Sequence, residues 1–301
     1  MNPAPALSVT LTSYGPAVGA DDAPDILDLA RMADDAGVDR ILLTDHVVMG
    51  DRTERYPWGD FPFPPDVPWL EPLSTIAAMA AVTERVRFST KILIAPLRPA
   101  PLLAKTLATL DALSKGRIEV GVSTGWQREE YAAAGVDWAL RGRLLTDTMA
   151  ACRALWTEAP ASFASETVNF ERIWCSPRPL RRIPIWFAGR LHERNVERIC
   201  TLGDGWIPEP YAPVDVLASG VPVLRDAWRS AGRDPNDLGI QGDLDVVVGS
   251  DGRPDLEASL HAVPEWRKAG ATTVNVVMTL FAGPKRASRF FDQLARGWAA
   301  I

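Results

Sequence analysis

The stretch Gly116-Arg117-Ile118-Glu119-Val120-Gly121-Val122-Ser123-Thr124-Gly125-Trp126-Gln127-Arg128-Glu129-Glu130-Tyr131 decides how the chain is read. A helical pattern with Leu103, Leu107, Leu110 and Leu113 on one side ends at Gly116, a short apolar run over 118–122 follows, and Gly121 and Gly125 close it. The order is helix, turn, buried strand, loop. A loop that leaves the carboxyl end of a parallel strand lies where α/β folds hold ligands. The small residues Gly121, Ser123, Thr124 and Gly125 let a backbone approach a flat or phosphorylated ligand closely, and Trp126 is placed to cover it. A plain strand-to-helix turn is the other reading of the same residues.

Outward from this strand the unit repeats in both directions. Before it come strands over 7–11, 40–44 and 86–94, with helices over 25–36, 72–81 and 102–113. After it come a helix over 143–156 and strands over 183–188, 205–208, 243–248 and 272–278. These alternate with helices over 192–202, 214–231, 256–269 and 286–299. Eight near-continuous apolar strands alternate with helices, and parallel strands need cover on both faces, so the fold expected is a closed (β/α)8 TIM barrel. A chain of 301 residues allows either two medium domains or one barrel of about 250 residues plus insertions. No Pro/Gly/Ser linker divides it, so one domain over 1–301 is expected. Gly15, Pro16 and Gly19 form the first loop. The insertions are 47–70 after the second strand, with Tyr56, Trp58, Phe61, Phe63 and Trp69, and 160–184 before the fifth, read as a hairpin or extended loop. Long loops of this kind are often lids or binding loops.

Composition narrows the function. Hydrophobic residues make up 47% and charged residues 23%, as in ordinary soluble proteins, and the net charge of -6 argues against nucleic-acid and anionic-membrane partners. Cys152, Cys175 and Cys200 show no CxxC spacing, so reduced thiols in a cytoplasmic protein are expected, with neither a zinc site nor a disulfide framework. No signal sequence or bilayer-spanning run is visible. Without HxH or HExxH, no metal is assigned.

In a barrel, groups at the strand C-termini meet in one mouth: Tyr14, Asp45, His46, the region 91–95, 123–126, Gly189, Arg190, Glu209 and Thr279. His46 is the first candidate for chemistry, because imidazole passes a proton near neutral pH; a histidine bonded to Asp45 or to a carbonyl to hold its loop is the alternative. His192 falls at a helix start and His261 within a helix. The strand ending at Gly189 before a helix N-terminus suits a phosphate, with Arg190 as a charge-assisted donor, or is a turn with solvated arginines. Residues 121–125 also match G-x-S-x-G, which makes a serine hydrolase with Ser123 as nucleophile a remote alternative. The acid pairs Asp21-Asp22, Asp34-Asp35 and Glu129-Glu130 read as solvated helix starts or faces.

With these residues in view, the chain resembles the bacterial luciferase-like superfamily of flavin- and deazaflavin-dependent oxidoreductases. The resemblance runs through Thr44-Asp45-His46-Val47-Val48, Trp69-Leu70-Glu71-Pro72-Leu73, Ser89-Thr90-Lys91-Ile92-Leu93-Ile94, Ser114-Lys115-Gly116-Arg117, Gly121-Val122-Ser123-Thr124-Gly125-Trp126 and Pro184-Ile185-Trp186-Phe187-Ala188-Gly189. The proline- and tryptophan-rich loop before Trp69 and the Thr90-Lys91 pair are most similar to the branch that uses coenzyme F420. The resemblance implies a (β/α)8 barrel with a non-prolyl cis peptide at Lys91-Ile92 backing the cofactor ring and His46 near its reactive face. It also implies Ser123, Thr124 and Gly125 near the cofactor chain, Gly189 with Arg190 at the phosphate, and Asp45 and Trp126 among the cofactor contacts. Tyr14, Trp58 and Trp69 are the candidate substrate contacts. Arg190 departs from the family pattern, which often has a second glycine or a small hydroxyl residue there. The expected reaction is hydride transfer between F420 and a small, partly apolar organic substrate, with His46 as proton donor or orienting group. The alternative is a two-component FMN-dependent monooxygenase, fed reduced FMN by a partner reductase and using oxygen. Relatives imply a homodimer and a flavin or F420 reductase as partner.

Overall fold

A computed structural model of the chain describes residues 4–11, 13–15, 18 and 25–301; Pro16, Gly19 and the Asp21-Asp22 pair lie outside the described residues. Eight strand positions form one parallel ring: β1 Ala6–Thr10, β2 Arg40–Leu43, β3 Arg87–Thr90 resumed at Leu93–Ile94, β4 Val120–Ser123, β5 Ile185–Ala188, β6 Gly205–Ile207, β7 Gly239–Asp243 and β8 Thr273–Val277. The two parts of β3 face different neighbours. Arg87–Thr90 pairs with β2 and Leu93–Ile94 with β4, so the ring closes across the break at Lys91-Ile92, whose peptide bond is cis. The barrel expected from the sequence is present.

Outer helices cover the ring because each has an apolar face and a defined start. Ile26–Asp35 buries Leu29, Ala30 and Ala33, and its N-cap Asp25 accepts from the amides of Leu27 and Asp28. Pro72–Ala81 begins with proline, which lacks the N–H that would go unpaired there, and Glu71 caps it through the Ser74 amide.

The strands alternate rather than being apolar throughout. Leu7 and Val9 of β1 and Val274 and Val276 of β8 pack into the core beneath the helices. Ser8 and Thr10 hydrogen-bond across to Thr273 (2.6 Å) and Asn275 (3.0 Å) inside the barrel. At the amino end the interior is filled by Trp186. Its indole lies so close to Gly205 and Gly239 that an added Cβ would fall 2.3 Å from ring atoms. The buried Glu119 accepts from Trp186 Nε1 (3.0 Å) and pairs with Arg40 and Arg87 (3.2 Å each).

Three elements differ from the sequence expectation. The seventh strand is Gly239–Asp243, not 243–248; tryptophans pack directly over its two glycines, Trp186 on Gly239 and Trp266 on Gly242. Val247–Val248 instead forms an exposed two-stranded hairpin with Pro254–Asp255. The helix expected over 256–269 is two, Leu256–Leu260 and Val263–Ala269, with His261 capping the first rather than lying inside a helix. The 160–184 insertion contains an antiparallel hairpin, Ala161–Ala164 with Asn169–Ile173. The 47–70 insertion has a 3-10 turn at Thr53–Arg55, further turns at 57–58 and 65–66, and an antiparallel bridge from Trp69 to Tyr14.

Asp34 is not a solvated helix-face acid. Only 6% exposed, it accepts from the amides of Glu84 (2.9 Å), Arg85 (3.1 Å) and Val86 (2.7 Å), tying the first helix to the entry of β3. Burial alone would raise its pKa, but the three amides and the Arg85 charge outweigh it and hold the carboxyl below the usual value. A depressed native pKa contributes stability above the unfolded value, near pH 4, that is lost as the pH falls through the native one. Asp34→Asn therefore costs about 2 kcal/mol at pH 7. The deficit shrinks as the pH drops below 4, which urea unfolding across pH 2 to 7 measures.

Candidate active site

The mouth lies at the carboxyl ends of the strands. His46, just past β2, is held by a residue 84 positions away: its Nδ1 hydrogen-bonds Glu130 Oε2 at 3.1 Å, while Glu130 Oε1 accepts the Val47 amide at 2.9 Å. Glu130 is 1% exposed and sits on the short helix Arg128–Ala133 that follows β4. Far from a solvated helix start, it is the inward anchor of the site, and only its neighbour Glu129 reaches outward, to Arg55 at 2.8 Å. With the carboxylate accepting, Nδ1 carries the proton and Nε2 has no hydrogen-bond partner among the described residues.

An aromatic wall surrounds the imidazole. Trp69 meets it edge-on at 4.7 Å, Trp126 at 5.9 Å and Phe61 at 6.4 Å. Tyr14 stacks on Trp69 at 4.3 Å with planes 10° apart, and Tyr56 packs on Trp58, Phe61 and Trp126 at 5.3 Å each. The wall is pinned from several sides. Gly50 N–H donates to Gln127 Oε1 (2.8 Å), Leu70 N–H donates to the Ser13 carbonyl (2.9 Å), and Gly15 N–H donates to the Pro68 carbonyl (2.9 Å). Burial keeps the Tyr14 and Tyr56 hydroxyls protonated well above their usual range, so both are donors at neutral pH.

Asp45 lies beside His46 in sequence but apart from it in space. Its carboxylate takes Arg98 through Nη1 (2.7 Å) and Nη2 (3.0 Å) and the Ile94 amide (2.8 Å), clamping the resumed half of β3 to β2. Lys91 enters the barrel and meets Asp243 at 2.6 Å. Gly125 takes φ +65°, and an added Cβ would lie 2.9 Å from Ile94 Cδ1, so a protein side chain explains its smallness. Gly189, at φ +108°, faces open space instead. The Arg190 side chain is 80% exposed and donates through Nε to Glu209 (2.5 Å), turned away from the Gly189 cradle.

Thr44 Oγ1, Ser13 Oγ and Trp69 Nε1 are enclosed and have no hydrogen-bond partner among the described residues. Enclosed polar atoms of this kind are normally satisfied, by ligand or water where protein does not reach. Ser123 has no hydrogen bond to any histidine among the described residues, and His192 caps the helix Glu193–Thr201, so the site lacks the base a serine nucleophile needs.

A sequence model of the luciferase-like monooxygenase family matches residues 6–271. The chain belongs to this luciferase-like family. It is 33% identical to the uncharacterized protein Rv0953c of Mycobacterium tuberculosis over 276 residues, 88% of this chain and 91% of that one. An F420-dependent glucose-6-phosphate dehydrogenase of Nakamurella multipartita is 29% identical over 258 residues, covering 82% and 71% of the two chains. In fold, the luciferase-like barrel superposes on the monooxygenase RslO1 of Streptomyces bottropensis with a TM-score of 0.78 at 19% identity, over 98% and 99% of the two chains. The family consists of oxidoreductases and monooxygenases, and the protein is an enzyme of that kind.

Proposed function

We propose that this enzyme transfers a hydride between coenzyme F420 and a small, partly apolar organic substrate. The observation that carries the reading is the buried Glu130 holding His46 with Nε2 free inside an aromatic wall. Similarity over 82% of the chain to an F420-dependent dehydrogenase favours F420 as the cofactor. The mouth fits such a group: Gly189 leaves room for a close backbone approach, and the enclosed hydroxyls of Thr44 and Ser13 lack a partner among the described residues. Ser123, Thr124 and the Gly189 backbone are the residues we assign to holding it.

F420, when bound, supplies the carbon that accepts or donates the hydride. His46 Nε2 takes the proton of a substrate hydroxyl as hydride leaves the carbinol carbon, and returns it to the carbonyl oxygen in the reverse direction. Glu130 fixes the tautomer and balances the imidazolium. Trp69, Trp126, Phe61 and Tyr56 exclude water and favour an apolar substrate body.

The test is a set of titrations of the purified protein with F420 and FMN, each oxidised and reduced, followed by fluorescence. Selective F420 binding is expected. Selective binding of reduced FMN would replace this reading with the two-component monooxygenase, and binding of neither would overturn both.

A further inference from the structure

The cations near the mouth differ in freedom. Arg98 is clamped between Asp45 and Glu71, and Arg190 lies outside on Glu209. Lys91 reaches inward. Its backbone is fixed on both sides, by its own amide to the Leu43 carbonyl (2.7 Å) and by Thr90 Oγ1 to the Gly121 carbonyl (2.7 Å), so only the side chain can swing. Its Nζ donates to Asp243 Oδ1 at 2.6 Å, and the two side chains are 16% and 20% exposed, largely but not wholly withdrawn from water at the carboxyl ends of β3 and β7.

The arrangement does not depend on Lys91 to satisfy the carboxylate. Asp243 Oδ1 also accepts from Asn275 Nδ2 at 2.8 Å, and Asn275 is oriented by Thr10 Oγ1 at 3.0 Å. An ammonium has three donors, and among the described residues a single acceptor, Asp243, holds this one. Two donors remain for a ligand entering the mouth.

We propose that Lys91 is a charge-positioning residue whose ammonium, held ready by Asp243 and Asn275, binds the electron-rich carbonyl edge of the cofactor ring and favours the reduced over the oxidised cofactor. This rests on the cofactor reading above. Hydride uptake brings two electrons and one proton to the ring, so the ring carries one more negative charge unless a second proton follows. A fixed cation in a poorly hydrated cavity stabilises that charge. The preference tunes how far the reaction runs in each direction.

The experiment is anaerobic titration of wild type and variants with oxidised and reduced F420, and with FMN, reading the ratio of the two dissociation constants. Lys91→Met is expected to lower the preference for the reduced form by about tenfold or more, the size of one charge-assisted hydrogen bond. Lys91→Arg keeps most of it. Asp243→Asn, which releases the ammonium while Asn275 retains a partner, raises it. The double variant Lys91→Met/Asp243→Asn removes both charges, guards against misfolding caused by a lone carboxylate, and should show the lowered ratio with normal melting. Equal weakening of both redox forms by Lys91→Met, or no change in either, overturns the proposal. Wild-type protein that binds neither cofactor overturns the cofactor reading, and this inference with it.

Discussion

His46→Gln lowers kcat/KM by about 10² to 10³, within the range general acid–base catalysis supplies. It leaves cofactor affinity within about threefold and the melting temperature nearly unchanged. Glutamine is the informative replacement because it keeps an amide donor that can turn back toward the buried Glu130, which an alanine would leave without its side-chain partner at 1% exposure. The fold cost is thus separated from the proton-transfer cost. The rate is measured with whichever alcohol, ketone or enone the wild-type enzyme turns over. A smaller loss accompanies Glu130→Gln, because the imidazole stays in place through Trp69 and Trp126 while losing the partner that balances its charge. Wild-type turnover in His46→Gln would assign the histidine to holding its loop.

Glu119→Ala has the largest expected effect on stability. The carboxylate accepts from Trp186 Nε1 and forms ion pairs with Arg40 and Arg87 at the amino end of the barrel. Arg87 is 41% exposed on its side chain and would rehydrate, but Arg40, at 16%, would be left as a largely buried, uncompensated charge. Removing one partner of such a cluster costs about 3 to 5 kcal/mol, and the loss of the Trp186 acceptor adds to it. Urea unfolding of Glu119→Ala and of Arg40→Met/Glu119→Ala tests the cause. Most of the loss should return in the double variant, where no lone guanidinium remains. Equal destabilisation in both would place the cost in lost packing instead.

The barrel was legible in the sequence, which also pointed to the strand C-termini and to His46 as the candidate site. Eight alternations of apolar strand and amphipathic helix admit few closed arrangements, and His46 directly follows a strand, where the C-terminal groups meet. The residues from Thr44 to Val48 and the 121–126 loop also carried the family. What the tertiary structure alone decided is the inward face of the ring. Ser8, Thr10, Arg40, Glu119, Gln241 and Asn275 stand on strands whose outward residues give the hydrophobic signal, so the polar interior is masked by its own alternation. The glycines of the seventh strand, 239 and 242, add nothing to that signal, and the tryptophans packed over them come from other segments. Glu130 reads as a solvated acid because nothing within its own helix marks it as buried. Its partner is 84 residues away, Lys91 meets Asp243 across 152, and Thr10 meets Asn275 across 265. A pattern confined to neighbouring residues records which face of an element is apolar. Closure of the ring decides which polar groups meet inside it, and that closure is where the charge arrangement of the site is set.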